Sequence, residues 1–300
     1  SELVSNRVVV LPFENRVNDP DLADLSASLV GEAIHQLELA EQVPYDMSRQ
    51  YAEEAVREGA GDLTLRVAER TGAGLAVTGT VRRVGDSLRF QLNVTDMATG
   101  VTLQPVTETG PVDQRMEVIA RLGDRVAGGL ALILDPEMEM GRQPQAVPPL
   151  LEAYRSWKAG FRALEQGETE EALGHHLAAY DIDSVFVPAL VAAAYMAREV
   201  GDHAKAESLA HEADLRRDRL NRVLQLDLDN FFFRLSGELW EVLENSRVNH
   251  RLDPAGWSPL GHALAALALN RPGEAIEALE DYDPYPEWRR DEARRYWRHL

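Results

Sequence analysis

The sequence contains no cysteine, and this absence removes several kinds of chemistry at once. Disulfide bonds, thiolate nucleophiles and cysteine metal sites are all excluded. A chain without cysteine suits an oxidising or a reducing compartment equally, so the composition does not choose between them. Long apolar runs are also absent: no stretch of about 18 apolar residues predicts a membrane-spanning helix. We therefore expect no direct insertion of this chain into a membrane.

Positive charge is scarce. The chain has 31 basic against 50 acidic residues and a formal net charge of −19. Such a chain would be repelled by a phosphate backbone, so nucleic acid is not an expected partner. At 45% hydrophobic and 27% charged, the composition is otherwise that of a soluble globular protein.

Recognisable catalytic motifs are missing as well. The sequence has no GxSxG, no HExxH, no phosphate-binding loop and no kinase glycine-rich or His-Arg-Asp loop. His175 and His176 are adjacent, so on a helix they point about 100° apart and cannot face one ion; we interpret His176 as a packed side chain. We therefore expect no catalytic residues, no metal, no cofactor and no enzymatic activity. The alternative is an enzyme with an unrecognised site in the N-terminal domain. Glu14 with Asp19 or Asp21 forms a possible pair of catalytic carboxylates, but in a chain with 50 acidic residues such surface pairs are expected by chance.

The clearest pattern that is present is an internal repeat. Three pairs of small residues are each 34 residues apart: Gly167 with Gly201, Ala172 with Ala206, and Ala179 with Ala213. A 34-residue period with small residues at fixed offsets is typical of tetratricopeptide helical hairpins. Two helices are expected to approach closely at six small residues: Gly160, Ala172, Ala179, Ala194, Ala206 and Ala213. The repeat predicts a binding scaffold.

The first half of the sequence has a different pattern. The apolar run from Val8 to Phe13 predicts a buried strand, a helical stripe begins after Asp19-Pro20, and two residues, Gly85-Asp86, separate two strands. Pro105 indicates an edge strand. The predicted fold class is an α/β domain with a mixed sheet, followed by an all-α tetratricopeptide solenoid. We place the α/β domain at 1–134, a proline-containing linker at 135–149 and the repeat domain at 150–300, with about four hairpins, the third degenerate.

Two groups of motifs in the first domain resemble a known family. Val8-Val9-Val10-Leu11-Pro12-Phe13-Glu14-Asn15-Arg16, with Asp19-Pro20 after it, looks like the opening of the TolB-like amino-terminal domain of bacterial signalling proteins. Its hairpin is similar to Val77-Thr78-Gly79-Thr80-Val81, Gly85-Asp86-Ser87-Leu88-Arg89-Phe90 and Asp96-Met97-Ala98-Thr99-Gly100. The resemblance covers residues 7 to about 134.

The order of the two domains extends the resemblance. A TolB-like domain followed by tetratricopeptide repeats resembles the region after the membrane helix of bacterial serine/threonine kinases. It implies a non-catalytic sensory or interaction module on the extracytoplasmic side of the membrane. The alternative is a cytoplasmic regulatory tail of an adenylate cyclase or transcription regulator. The chain begins without methionine and ends in a predicted helix, 288–300, so we interpret it as part of a longer protein.

The candidate binding residues lie on the first helices of the first two repeats: Tyr154, Trp157, Phe161, Tyr195 and Arg198. First-helix residues of this repeat line its groove, and aromatic rings with an arginine are favoured anchors for a protein or peptide partner. Arg198 favours an acidic or carboxylate-bearing segment. The alternative is that these rings are already covered by the linker, by the preceding domain, or by a second copy of the chain in a homodimer.

Overall fold

A computed structural model of the chain describes residues 3–138, 145–254 and 258–280. The predicted helix over 288–300 lies outside these residues. Tertiary contacts divide the chain into two units. The first contains the described parts of 1–134, 144–159 and 178–186, and the second contains those of 135–143, 160–177 and 187–300.

The first unit is built on one mixed sheet. Its strands are β1 (Val4–Val10), β2 (Glu14–Arg16), β3 (Glu41–Gln42), β4 (Ala73–Val84), β5 (Ser87–Asp96) and β6 (Thr102–Pro111). The order is β3-β1-β4-β5-β6, with β2 paired to β4. The pairings of β1 with β3 and β4 are parallel, and those of β5 with β4 and β6 are antiparallel. The predicted mixed sheet is confirmed.

Local sequence accounts for the strand positions. Val8, Val9 and Val10 are fully buried in β1, as a continuous β-branched run predicts for a central strand. Gly85 has a φ of 60° in the turn between β4 and β5, a conformation that glycine adopts without steric cost. Pro105 lies in β6, which pairs on one side only, so its missing N–H costs no ladder hydrogen bond.

Four helices complete this part of the chain: α1 (Leu22–His35), α2 (Tyr45–Arg57), α3 (Leu63–Thr71) and α4 (Arg115–Leu134). Helices α1 and α4 approach closely at Gly123, where an added Cβ would lie 2.9 Å from the Ala33 side chain. The predicted order is strand, helix, strand, helices, three strands and helix. The structure has this order, with the short β2 as an addition.

Arg125 of α4 ties this unit together from the inside. Its side chain is 4% exposed and binds Glu108 on β6 and Asp183, whose carboxylate lies 2.9 Å away. Arg125 Nη1 also donates to the Pro148 carbonyl at 2.6 Å, and the Leu150 amide donates to Asp183. A buried charge is stable when its attraction to paired groups offsets the loss of water. Arg125 meets this condition.

The rest of the described chain is helical, as predicted. It contains α5 (Leu151–Glu165), α6 (Thr169–Ile182), α7 (Pro188–Glu199), α8 (His203–Asp214), α9 (Arg222–Ser236), α10 (Leu239–Leu252), α11 (Ser258–Ala268) and α12 (Pro272–Leu279). Consecutive helices pack in pairs, α7 with α8, α9 with α10 and α11 with α12. An α/β domain followed by an all-α region is therefore confirmed, while the tetratricopeptide assignment stays a prediction.

The turns inside these pairs share one backbone feature. Gly167, Gly201 and Gly237 have φ values of 82°, 86° and 77°, and Asn270 has 55°. These left-handed residues follow the first helix of each pair. They mark equivalent positions in the four pairs. The predicted small positions Ala172, Ala179, Ala194, Ala206 and Ala213 are all at most 1% exposed.

The division into units differs from the predicted domain limits in one place. Residues 144–159 and 178–186 group with the α/β unit, so α5 and α6 are each divided between the two units. The hydrogen bonds of Arg125 and Asp183 supply a physical reason, because they join β6 and α4 to residues on both sides of the first helical pair.

Candidate partner-binding site

Counting back from the left-handed residue aligns the first helices of the four pairs. Six residues before it stand Phe161, Tyr195, Phe231 and Leu264; three before it stand Leu164, Arg198, Arg234 and Leu267; ten before it stand Trp157, Val191, Asp227 and Leu260. The predicted residues Phe161 and Tyr195 are therefore equivalent. Arg198 has an equivalent in the third pair, Arg234, which the prediction did not include.

Tyr154 and Trp157 are core residues, which corrects their predicted role in a groove. They are 3% and 2% exposed. The Trp157 ring meets the ring of Phe186 edge to face, with centroids 5.3 Å apart, a favoured arrangement for aromatic pairs. Two large rings with so little exposed area cannot offer their faces to a partner.

Phe161 is half-buried and packs on His176, with ring centroids 5.0 Å apart. His176 is fully buried, as expected for a packed histidine, and burial lowers its pKa to about 3. Gly160 leaves space for it: an added Cβ there would lie 2.5 Å from the imidazole. Phe161 thus supports the interior of this helical pair and is a weaker candidate than Tyr195.

Tyr195 is held in place from two sides. Its hydroxyl donates to the main-chain carbonyl of Asp227 at 2.7 Å, and its ring meets Phe231 edge to face at 5.5 Å. These contacts join α7 to α9, the first helices of successive pairs. Burial raises the pKa of the Tyr195 phenol, so the hydroxyl stays a donor at neutral pH.

Arg198 lies over these two rings. Its guanidinium carbon is 5.2 Å from the Tyr195 centroid and 5.9 Å from the Phe231 centroid, within the range of cation–π attraction. Its Nη2 also bonds the exposed carboxylate of Glu199 at 2.9 Å, and its side chain is 27% exposed. Arg198 is therefore positioned by aromatic faces and has one accessible carboxylate as its ion partner.

Arg234 is a candidate residue that the sequence pattern did not predict. Burial lowers its pKa, and the charge of Arg198 lowers it further, while Tyr195 and the nearby Glu199 carboxylate act in the opposite direction. Within residues 3–138, 145–254 and 258–280, its guanidinium has no ion pair or side-chain hydrogen bond. A cation with a perturbed pKa and no paired carboxylate is typical of functional sites. We call Tyr195, Arg198 and Arg234 the arginine site. Phe231, 1% exposed, supports it from below.

Asp227 supports the same region and carries a second penalised charge. It occupies the position that holds Trp157 and Val191 in the first two pairs, so it faces inward. Burial, helped by the charge of Asp253, raises its pKa to about 7. Asn249 donates a hydrogen bond to its carboxylate at 2.7 Å, which favours the ionised form but does not offset burial.

The equivalent positions of the fourth pair are apolar and open. Leu264 and Leu267 on α11 are 52% and 54% exposed. Across the second, third and fourth pairs, the same helix face thus carries aromatic rings with arginines and then leucines. A ligand for this face would combine negative charge with apolar side chains.

The candidate catalytic carboxylates are bound to separate cations. Glu14 pairs with Arg16 at 2.8 Å, a hydrogen bond that lowers its pKa, and Asp19 pairs with Arg115 at 3.1 Å. In the described part of the chain, no cluster of three or more His, Asp or Glu side chains has the placement to hold a metal ion. None of the described helices combines the length and apolar character needed to cross a lipid bilayer.

No protein-family model and no curated protein matches the chain. Several solved structures show weak similarity, among them the following three. A PelC dodecamer from Paraburkholderia phytofirmans is 16% identical, with a TM-score of 0.27, over 41% of this chain and 90% of that one. Lipoprotein GNA1162 from Neisseria meningitidis is 13% identical, with 0.27, over 35% and 80%. TolB from Acinetobacter baumannii is 12% identical, with 0.27, over 44% and 29%. Similarity this weak identifies neither function nor compartment.

Proposed function

We propose that this chain is a non-catalytic interaction module whose helical unit binds an acidic segment of a partner protein at the arginine site. The observation that carries this proposal is Arg234, a half-buried guanidinium beside Arg198 that forms no ion pair within the described residues. Bringing two like charges together out of water costs free energy. A bound carboxylate would offset that cost by pairing with one or both guanidinium groups.

The surroundings of the two arginines indicate which class of ligand fits the site. Tyr195 forms an apolar floor below Arg198, backed by the buried ring of Phe231, and Leu264 and Leu267 continue the same face of the repeat. A peptide that alternates acidic and apolar side chains matches this pattern. Glu199 competes for Arg198 from within the chain, so the partner must displace or share that contact.

Anisotropy of a fluorescein-labelled peptide of alternating glutamate and leucine tests the proposal at about 50 mM salt, where charge attraction is weakly screened. Charge-assisted hydrogen bonds contribute about 1.5–3 kcal/mol, so Arg198→Gln and Arg234→Gln should each weaken binding roughly tenfold or more. The matched control is Arg222→Gln, an exposed arginine on the same helix as Arg234.

Two outcomes would overturn the proposal. One is an equal loss in the Arg222→Gln control, which would show nonspecific attraction. The other is equal binding of a peptide in which glutamine replaces glutamate. Far-UV circular dichroism of each variant separates lost binding from lost folding.

The parent protein is a further part of the proposal. We place this module in a membrane-anchored bacterial signalling protein, a serine/threonine kinase, on the extracytoplasmic side. The support is the motif resemblance of residues 7–134 and the order of the two domains. Reading the gene upstream for a membrane-spanning helix and a kinase domain tests it. An upstream cyclase or DNA-binding domain without a spanning helix would favour the cytoplasmic alternative.

A further inference from the structure

Two histidines and a glutamate on three successive helices form a hydrogen-bonded chain. Nδ1 of His250 on α10 lies 3.0 Å from Nδ1 of His262 on α11, and Nε2 of His262 lies 3.0 Å from Oε1 of Glu274 on α12. We call these three residues the His-His-Glu chain. None of them belongs to the arginine site.

The ionised carboxylate of Glu274 determines which nitrogen of His262 carries a proton. Arg247 donates to its carboxylate from Nε and Nη2 at 2.6 and 2.8 Å, and Arg271 donates from Nε at 2.6 Å. These bonds keep its pKa far below the usual range. An ionised carboxylate only accepts hydrogen bonds, so Nε2 of His262 carries a proton.

The contact between the two rings allows one added proton but not two. With both rings neutral, His262 has a lone pair at Nδ1, so His250 donates from Nδ1 and its Nε2 is unprotonated. One added proton at Nε2 of His250 leaves the hydrogen bond intact. A second would place protons on both Nδ1 atoms and break it. The pair can therefore gain one positive charge without losing its geometry.

The His-His-Glu chain lines a cavity whose charged side chains do not balance. The cavity has a volume of about 790 Å³, and its walls carry Arg247, Arg251 and Arg271 against Glu274 and Glu277. That is three positive charges against two negative ones before the histidines are counted. In the described residues, the exposed Arg251 has no ion pair. A positive cavity in a chain of net charge −19 is a local reversal of sign.

We propose that this cavity binds a small divalent oxyanion of the sulfate or phosphate-monoester class, and that binding tightens when the His-His-Glu chain takes up a proton. Arg251, the guanidinium NH₂ groups of Arg271 and the protonated Nε2 of His250 would donate to the anion. By linkage, the bound anion would favour protonation of the histidine pair to the same degree.

The charged groups around His250 set the direction of the pH dependence. Its own helix contributes Glu244, Arg247 and Arg251, and α11 contributes His262. Helix α12 contributes Glu274 and Glu277, and Arg271 directly precedes that helix. From α9, Asp227 contacts the neighbouring Asn249. Burial and the charge of His262 lower the pKa of His250, so protonation begins below its usual range. Anion affinity should therefore rise as pH falls from about 7 to about 5.

Isothermal titration with sodium sulfate at pH 5.5 and 8.0 tests the proposal, because sulfate keeps its double charge over this range. We expect one site that binds roughly fivefold to tenfold tighter at pH 5.5, as one added nearby charge would produce. Arg251→Gln should weaken binding at both pH values. His250→Asn keeps a hydrogen-bonding group near Nδ1 without a titrating proton, so it should remove the pH dependence. His175→Asn, on α6, is the matched control and should behave as wild type.

Absence of saturable binding at pH 5.5 would overturn the proposal, as would a sulfate affinity that Arg251→Gln leaves unchanged. A pH dependence that persists unchanged in His250→Asn would refute the role of His250 as the group that takes up the proton. If that variant does not fold, imidazole resonances of the wild type supply the answer: sulfate must raise the titration midpoint of His250, and an unmoved midpoint contradicts the proposal.

Discussion

Each unit of this protein contains an arginine that is partly or fully buried, but the two arginines differ in their bonding partners. Arg125, in the α/β unit, is 4% exposed and bonded to the carboxylates of Glu108 and Asp183 and to a carbonyl. Arg234, in the helical unit, is half-buried, has Arg198 as a charged neighbour and has no ion pair in the described chain. The carboxylates that pair with Arg125 lie within its own unit, whereas the described residues supply no ion pair for Arg234.

The comparison separates a structural charge from a functional one. Removing one partner of a buried, bonded ion pair leaves the other charge uncompensated and costs much stability. Removing a penalised charge that has no partner relieves a cost. The two arginines should therefore respond to substitution in opposite directions.

The largest expected effect is the loss of Arg125. Arg125→Met leaves Asp183 and Glu108 without their buried cation and should lower the free energy of unfolding by roughly 3 kcal/mol or more. Denaturant unfolding followed by circular dichroism measures this. Arg121→Met is the control, because Arg121 also bonds Glu108 but is 43% exposed. A loss below about 1 kcal/mol for Arg125→Met, or equal losses in both variants, would remove the contrast.

A second prediction concerns the half-buried carboxyl of Asp227. Its folded pKa of about 7 is above the unfolded value near 3.9, so the folded state keeps a proton that the unfolded state releases. The stabilisation from this proton is complete below about pH 4 and is lost as pH rises towards 7. Asp227→Asn should therefore be more stable than wild type at pH 8, by about 2 kcal/mol, with no difference at pH 4.

Urea unfolding of both proteins from pH 4 to pH 8 checks the difference, and other carboxyl groups cancel in the comparison. An Asp227→Asn variant that is less stable than wild type at pH 8 would show that the ionised carboxylate stabilises this unit. In that case Arg234 would be the only penalised charge near Tyr195.

The smallest effect sharpens the role of Arg198. Glu199 occupies part of its guanidinium, so Glu199→Gln should free Arg198 for the acidic peptide and tighten binding about threefold, in line with an exposed ion pair. Anisotropy with the glutamate–leucine peptide measures this. Glu207→Gln, an exposed acid on α8, controls for the change in net charge. Equal gains in both variants would mean that net charge alone is responsible.

Much of the architecture was predictable, because local patterns specified it. The apolar run at Val8, the turn at Gly85 and the edge proline Pro105 each have one favoured structural role, and the structure has them in those roles. The 34-residue spacing of Gly167 and Gly201 likewise locates the turns of two helical pairs. Periodicity and turn chemistry act within a few residues, so sequence alone reveals them.

The site was only partly predictable, because burial depends on partners distant in sequence. Trp157 and Tyr195 each belong to a row of residues three or four apart on a first helix. Trp157 nevertheless packs on Phe186 in the core, while Tyr195 is half-buried under Arg198. Arg234 had a signal that went unused: it stands three residues before Gly237, as Arg198 does before Gly201. Only the structure shows that Arg234 forms no ion pair within the described residues.

The unfolding free energy of Arg234→Met tests the central claim most directly. Methionine keeps the apolar stem that packs near Tyr195 and removes only the charge. If Arg234 is retained for a ligand at the expense of stability, the variant should be as stable as wild type or more stable by about 1 kcal/mol, while its affinity for the acidic peptide falls. A loss of stability close to that of Arg125→Met would show that Arg234 holds the helical unit together and would contradict the account.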